Sequence, residues 1–321
     1  MRMLTSDHLG PCIFFLPITT SDLSVQSSSS HIMPYFEHNN KISIYYLDEG
    51  PHDAQTVLLI PGITCDLHDW NWQVPFLLTH GFRVITPDPR GQGRSSAPAP
   101  TPDIKSYPGP DARPDIVDYY PQSAALDFIA LLQHLNVSSV VVIAHSLGTA
   151  VAYHFARVGP DLMRAMVILD PLHSIPSETV DTYLTDPLQT LQNLAMLFGP
   201  ALYPSTVPAW QLTWIGRRRL AGDLNVVLAQ SYACQIDPEA IGRREVSVAQ
   251  HNGKIKCPRL TMGNSEYWVT TERSYLSPSS DFDEIHLVEG IGHWFHQLKS
   301  EEVNGHIQRW FEKIGLIPVK G

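Results

Sequence analysis

Short apolar runs closed by turn residues alternate with stretches of helical spacing along most of this chain. "QTVLLIPG" ends at Pro61-Gly62, and "FRVITPDPRGQGRS" changes character at Asp88. Both read as buried strands running into loops, with helical spacing between them from Trp70 to Thr79. Ahead of them, Pro34 to Glu37 and Ile42 to Leu47 read as a hairpin turning at Asn39-Asn40. In "QSAALDFIALLQHL", Ala125, Phe128, Leu131, Leu132 and Leu135 fall on one face of an amphipathic helix. Val140–Ile143 is the next strand, "GTAVAYHFARVG" a helix halted by Gly159-Pro160, and "RAMVILDP" a further strand. "PRLTMG" and "DEIHLVEG" are two more, and "SEEVNGHIQRWFEKIG" closes the chain as a helix.

Strands alternating with helices predict an α/β fold, a mostly parallel sheet with helices on both faces. The alternation pauses from Leu172 to Asn252, where the pattern is helical but broken by Pro176, Pro187, Pro200, Pro204 and Pro208. The expected organisation is therefore a flexible arm over residues 1–33, a core over 34–171 and 253–321, and a helical cap over 172–252 inserted after the sixth strand. The arm includes the polar, low-complexity "SDLSVQSSSS". Ser96 to Pro121 is dense in proline and reads as a long loop. No internal repeat is visible.

Composition narrows the partners. The 321 residues are 43% hydrophobic, enough for one sizeable core, and the formal net charge is −10. An acidic surface argues against nucleic acid and anionic membranes, and leaves a small molecule as the expected partner. No run approaches the roughly 20 apolar residues of a membrane span. The run from Pro11 to Pro17 is short, bounded by prolines and without a cleavage pattern, so no secretory signal is expected. Cys12, Cys65, Cys234 and Cys257 are dispersed, which suits a reducing compartment and a cytoplasmic monomer or homodimer. Neither they nor the histidines show a local metal-ligand spacing, so no metal or cofactor is expected.

The chemistry concentrates at Ala144-His145-Ser146-Leu147-Gly148. Here a buried strand passes abruptly into a helix, and a serine sits on the turn with small residues two places to either side. Such a turn needs those small neighbours and lifts the serine into the crevice beyond the strand ends. The following helix points its positive end at the same place.

"AHSLG" resembles the nucleophile elbow of the α/β-hydrolase family, with alanine where glycine is usual, and the likeness runs from about residue 34 to the C-terminus. Pro61-Gly62-Ile63 is similar to the family's loop after the third strand, where His-Gly is commoner. The resemblance implies an oxyanion hole made by the backbone N–H groups of Ile63 and Leu147. "DPRGQGRS" resembles the loop after the fourth strand, where Arg90 would tie loops together. "GIGHW" resembles the loop that carries the family's base, which implies His293, with His296 as the competitor. The triad acid has two candidates. "PRLTMGNSE" resembles the pattern in which the acid stands three residues after a glycine, which gives Glu266. A minority of the family, fungal zearalenone lactonases among them, takes it from the end of the sixth strand, which gives Asp170 as the alternative.

Tyr183, Trp210, Trp214 and Trp294 are the candidate walls of an apolar pocket, set against a purely packing role. Arg217 to Arg219 read as a solvated helix face. The resemblance implies an ester or lactone hydrolase working through a Ser-His-acid triad and an acyl-enzyme. Two alternatives stay open: hydrolysis of a carbon–carbon bond in a 1,3-diketone-type substrate, and a small-molecule receptor with little turnover. Family members that open epoxides or remove halides carry aspartate at the elbow, where this chain has Ser146.

Overall fold

The computed structural model describes residues 34–39, 41–98, 117–171, 175–182, 205–275 and 277–318. The expected arm, most of the proline-rich loop, Cys12 and Tyr183 lie outside them.

The apolar runs become eight strands: β1 (Tyr35–His38), β2 (Ile42–Glu49), β3 (Thr56–Ile60), β4 (Arg83–Pro87), β5 (Val140–His145), β6 (Met163–Leu169), β7 (Arg259–Gly263) and β8 (Glu284–Leu287). They form one sheet in the order β1-β2-β4-β3-β5-β6-β7-β8. β1 and β2 form the expected antiparallel hairpin, β2 meets β4 antiparallel, and all further pairs are parallel. Alternate residues of each central strand serve opposite faces. Leu58, Ile60, Val140 and Val142 pack toward Phe128, Leu131, Val151 and Phe155 on one side. Val57, Leu59, Val141 and Ile143 pack toward Trp70, Leu77, Trp310 and Phe311 on the other. Each such fully buried aliphatic contributes about 1.5–3 kcal/mol. With apolar side chains needed on both faces, the central strands read as unbroken hydrophobic runs.

Three helices follow early strands: α1 (Gln73–Thr79), α2 (Pro121–His134) and α3 (Leu147–Val158). Between β6 and β7 lie α4 (Ser177–Thr182), α5 (Ala209–Ala221), α6 (Leu224–Ser231) and α7 (Arg244–His251). α8 (Glu266–Tyr275) joins β7 to β8, and α9 (Phe295–Leu298) and α10 (Ser300–Lys313) follow β8. The helix expected from Trp70 begins only at Gln73. Leu67–Trp70 form a separate tight turn, capped by the Asp66 side chain accepting from the His68 N–H. Pro75 fits the first turn of α1, where its missing N–H is not needed.

Arg90 ties loops as expected: its guanidinium donates to both Asp127 carboxylate oxygens and to the Asp118 and Ser123 carbonyls. No described helix is long and apolar enough to cross a membrane. Cys65, Cys234 and Cys257 are buried free thiols. β5, β6 and β7 end level, with His145 opposite Leu169 and Leu169 opposite Met262. The residues just beyond those ends make the site.

Candidate active site

Ser146 stands between β5 and α3 with φ 55° and ψ −125°, a conformation that costs a non-glycine residue about 1–3 kcal/mol. Its N–H donates to the Leu169 carbonyl, which pins the turn to the neighbouring strand. A side chain at Gly148 would meet the Ile60 and Pro61 carbonyls at 2.6 Å, so the second small position is a steric requirement. At the first, fully buried Ala144 is accommodated. Ser146 is 2% exposed, and its hydroxyl has no hydrogen-bond partner.

Asp170 occupies the corresponding place after β6, also with positive φ, 46°. Its carboxylate accepts from the Asn264 N–H at 3.1 Å, from the Asn264 side-chain amide at 2.9 Å, and from His293 Nδ1. His293 follows Gly290 and Gly292, whose φ values of 95° and 73° suit glycine. With Nδ1 donating to Asp170, Nε2 carries the lone pair, and that atom is buried without a partner. Ser146 and His293 thus each bring one uncommitted polar atom to the same end of the sheet.

Glu266, expected ahead of Asp170 as the partner of His293, is corrected by this arrangement. It is the first residue of α8 and exposed, while Asp170 holds the imidazole. An acid at the start of a helix is favourably placed against the N-terminal dipole, which suffices to explain a carboxylate there. Asn264 was not singled out from sequence; a polar residue right after β7, level with Asp170, is the one signal it gives.

Leu147 opens α3, so its N–H has no intrahelical acceptor. Ile63 follows Gly62, where a Cβ would stand 2.8 Å from Ser146 Cβ and 3.3 Å from its Oγ. Only glycine lets this loop approach the serine so closely. A small cavity of about 20 Å³ borders Pro61 and Leu147.

Behind His293 lies a second polar cluster. His145 Nε2 donates to the His293 carbonyl at 3.0 Å, and the two rings are 4.6 Å apart. His145 Nδ1 and His296 Nε2 stand 3.3 Å and 3.4 Å from Asp69 Oδ2. Asp69, His145 and His296 are fully buried. Burial, with the neighbouring imidazoles, pushes His145 down to about 3.

The expected solvated face at Arg217 to Arg219 is also corrected. Arg218 turns inward, donates to Asp66 at 3.0 Å and Asp69 at 3.3 Å, and lies over the Trp214 ring. Trp210 and Trp214 both pack against Trp72, Trp214 edge-on, and Trp210 is 52% exposed. They form a surface aromatic group, because the buried face of α5 is taken by Gln211 and Ile215. Trp294 packs with Cys65 and Ile215.

The profile of the family described as alpha/beta hydrolase fold matches residues 55–218, just over half of the chain. A bifunctional esterase/perhydrolase of Acinetobacter calcoaceticus is 31% identical over 148 residues, 46% of this chain and 48% of that protein. A non-heme chloroperoxidase of Streptomyces lividans is 34% identical over 128 residues, 40% of each. An epoxide hydrolase of Caballeronia sordidicola is 33% identical over 127 residues, 40% of this chain and 33% of that protein. The chain thus spans less than half the length of these relatives. Among solved structures, an esterase from Exiguobacterium antarcticum superposes with TM-score 0.66 at 16% identity, covering 87% of this chain and 98% of that one. At that identity the likeness concerns the fold.

Proposed function

The chain belongs to the α/β-hydrolase fold family, and on that premise we propose that it is a serine hydrolase of carboxylic esters or lactones. One observation carries the reading: His293 is fixed by Asp170 through Nδ1, which leaves Nε2 uncommitted at the sheet end that holds the uncommitted Ser146 hydroxyl.

In the proposed reaction His293 Nε2 takes the Ser146 proton as Oγ attacks the substrate carbonyl. Negative charge develops on the carbonyl oxygen and is met by the N–H groups of Ile63 and Leu147. The intermediate collapses, and the imidazolium returns the proton to the departing alkoxide. Water, deprotonated by the same nitrogen, then attacks the acyl-enzyme and releases the acid. Asp170 keeps the imidazole in the tautomer that presents Nε2 and steadies the imidazolium. The elbow serine favours this route over epoxide opening, for which the family uses aspartate.

The test is turnover of short p-nitrophenyl esters together with labelling by a fluorophosphonate. Wild type should turn over and label at one residue, and Ser146→Ala should do neither while keeping its melting temperature. Ligand binding without turnover or labelling in wild type would overturn the hydrolase reading in favour of a receptor.

A further inference from the structure

The cluster behind His293 is not needed for the proposed chemistry, and its geometry is unusual for a hydrogen-bond network. Asp69, His145 and His296 each offer a ligand atom, and these atoms lie within 4.8 Å of one another. The two contacts to Oδ2, at 3.3 Å and 3.4 Å, lack hydrogen-bond alignment, so all three atoms are buried without a partner. His145 spends its one proton on the His293 carbonyl, which leaves Nδ1 a bare acceptor facing a carboxylate oxygen. His296 has neither ring nitrogen hydrogen-bonded, so Nε2 is available as a second acceptor. Acceptors that face one another in a buried site are costly unless a donor or a cation sits among them.

We propose that Asp69, His145 and His296 form a buried binding site for one divalent transition-metal ion of the zinc type. Imidazole nitrogens and carboxylate oxygens about 2.0–2.2 Å from a tetrahedral ion stand about 3.3–3.6 Å apart, and both measured contacts to Asp69 Oδ2 match that separation. The donor set, two imidazoles and one carboxylate, suits zinc and cobalt and leaves a fourth position for water. Outer partners are present. His145 is oriented by the His293 carbonyl, and Asp69 Oδ1 accepts from Gln297 at 2.7 Å and from Arg218 at 3.3 Å. The Arg218 cation occupies the far oxygen, so it lowers the affinity without filling the site. With all three ligands fully buried under α5, the ion is taken up during folding or with α5 displaced, and it exchanges slowly. Its role is structural: it joins the Leu67–Trp70 turn, the end of β5 and α9, and so stiffens the loop that carries His293.

The experiment is the metal content of full-length protein purified without a polyhistidine tag or chelator, followed by Co(II) titration of stripped protein. Wild type should carry about one equivalent of zinc and show the visible absorption of four-coordinate cobalt. His296→Gln should lose both, and Ser146→Ala should keep both while losing turnover, so failure here and failure of the hydrolase reading are separable. Where His296→Gln does not fold, the wild-type measurements decide alone. Trace metal and a featureless cobalt spectrum in wild type would overturn the proposal, leaving a buried water as the occupant. So would full retention of metal in a folded His296→Gln protein.

Discussion

Two aspartate–histidine pairs stand side by side at the carboxyl end of the sheet, and they differ in what each imidazole does with its other nitrogen. In the Asp170–His293 pair the far nitrogen is uncommitted. In the Asp69–His145 pair the far nitrogen holds the His293 carbonyl. Similar components therefore serve opposite ends. One pair presents a lone pair to chemistry; the other secures the backbone of the first. The carboxylates differ in parallel. Among the described residues Asp170 is aimed by Asn264 besides His293, whereas Asp69 gathers Gln297, Arg218 and two imidazoles from three separate segments.

The sharpest way to break this contrast is to neutralise each carboxylate in turn. Asp170→Asn should lower kcat/KM for an ester by about 10⁴, because the amide no longer selects the tautomer that presents Nε2. Its melting temperature should move little. Glu266→Gln should leave kcat/KM within twofold, and a large loss there with none in Asp170→Asn would return the acid to the exposed position. Asp69→Asn should show the reverse balance. It removes the charge between buried Arg218 and two imidazoles, and should cost about 3 kcal/mol in urea unfolding. Asp66 remains to Arg218 at 3.0 Å, which keeps the loss from being larger.

Gly62→Ala probes both pairs through one atom. The new methyl group would crowd Ser146 Cβ at 2.8 Å and His145 Nδ1 at 3.3 Å. The loop must retreat, and with it the Ile63 N–H proposed for the oxyanion. A fall of about 10- to 100-fold in kcat with a smaller change in KM is expected. An unchanged kcat would show that this loop does not face the reacting carbonyl.

How far these pairs could be read from the chain differs by component. Ser146 and His293 were legible because each sits in a short local pattern, an abrupt strand-to-helix change and a glycine-flanked histidine. The strands were legible because burial on both faces demands unbroken apolar runs. The acid was not. Asp170 and Glu266 both follow strands whose ends are level, and only the side-chain direction, set by the positive φ of Asp170 and by Asn264, separates them. The Asp69 cluster was invisible for a different reason. Its members stand at positions 69, 145 and 296, so no local spacing marks them, and the expectation of no metal rested on local spacing alone. Arg218 was misread because arginines on either side made a buried guanidinium look like part of a solvated face.

A third histidine, buried beside an arginine, carries a pH dependence of its own. His154, on α3, is buried like His145, but the group at its ring is Arg157, which donates to Nδ1 at 3.3 Å. Burial, with the Arg157 charge, pushes it down to about 3. The folded protein therefore keeps His154 neutral where the unfolded chain protonates it, at about 6.5. Between those values the unfolded state binds the extra proton, so stability falls as pH drops from about 6.5 toward 3. The slope from this one residue is at most about 1.4 kcal/mol per pH unit. Urea unfolding of wild type and His154→Leu between pH 7 and 5 reads it directly: the variant's curve should be flatter across that window. Equal slopes would mean that His154 takes up its proton in the folded state after all.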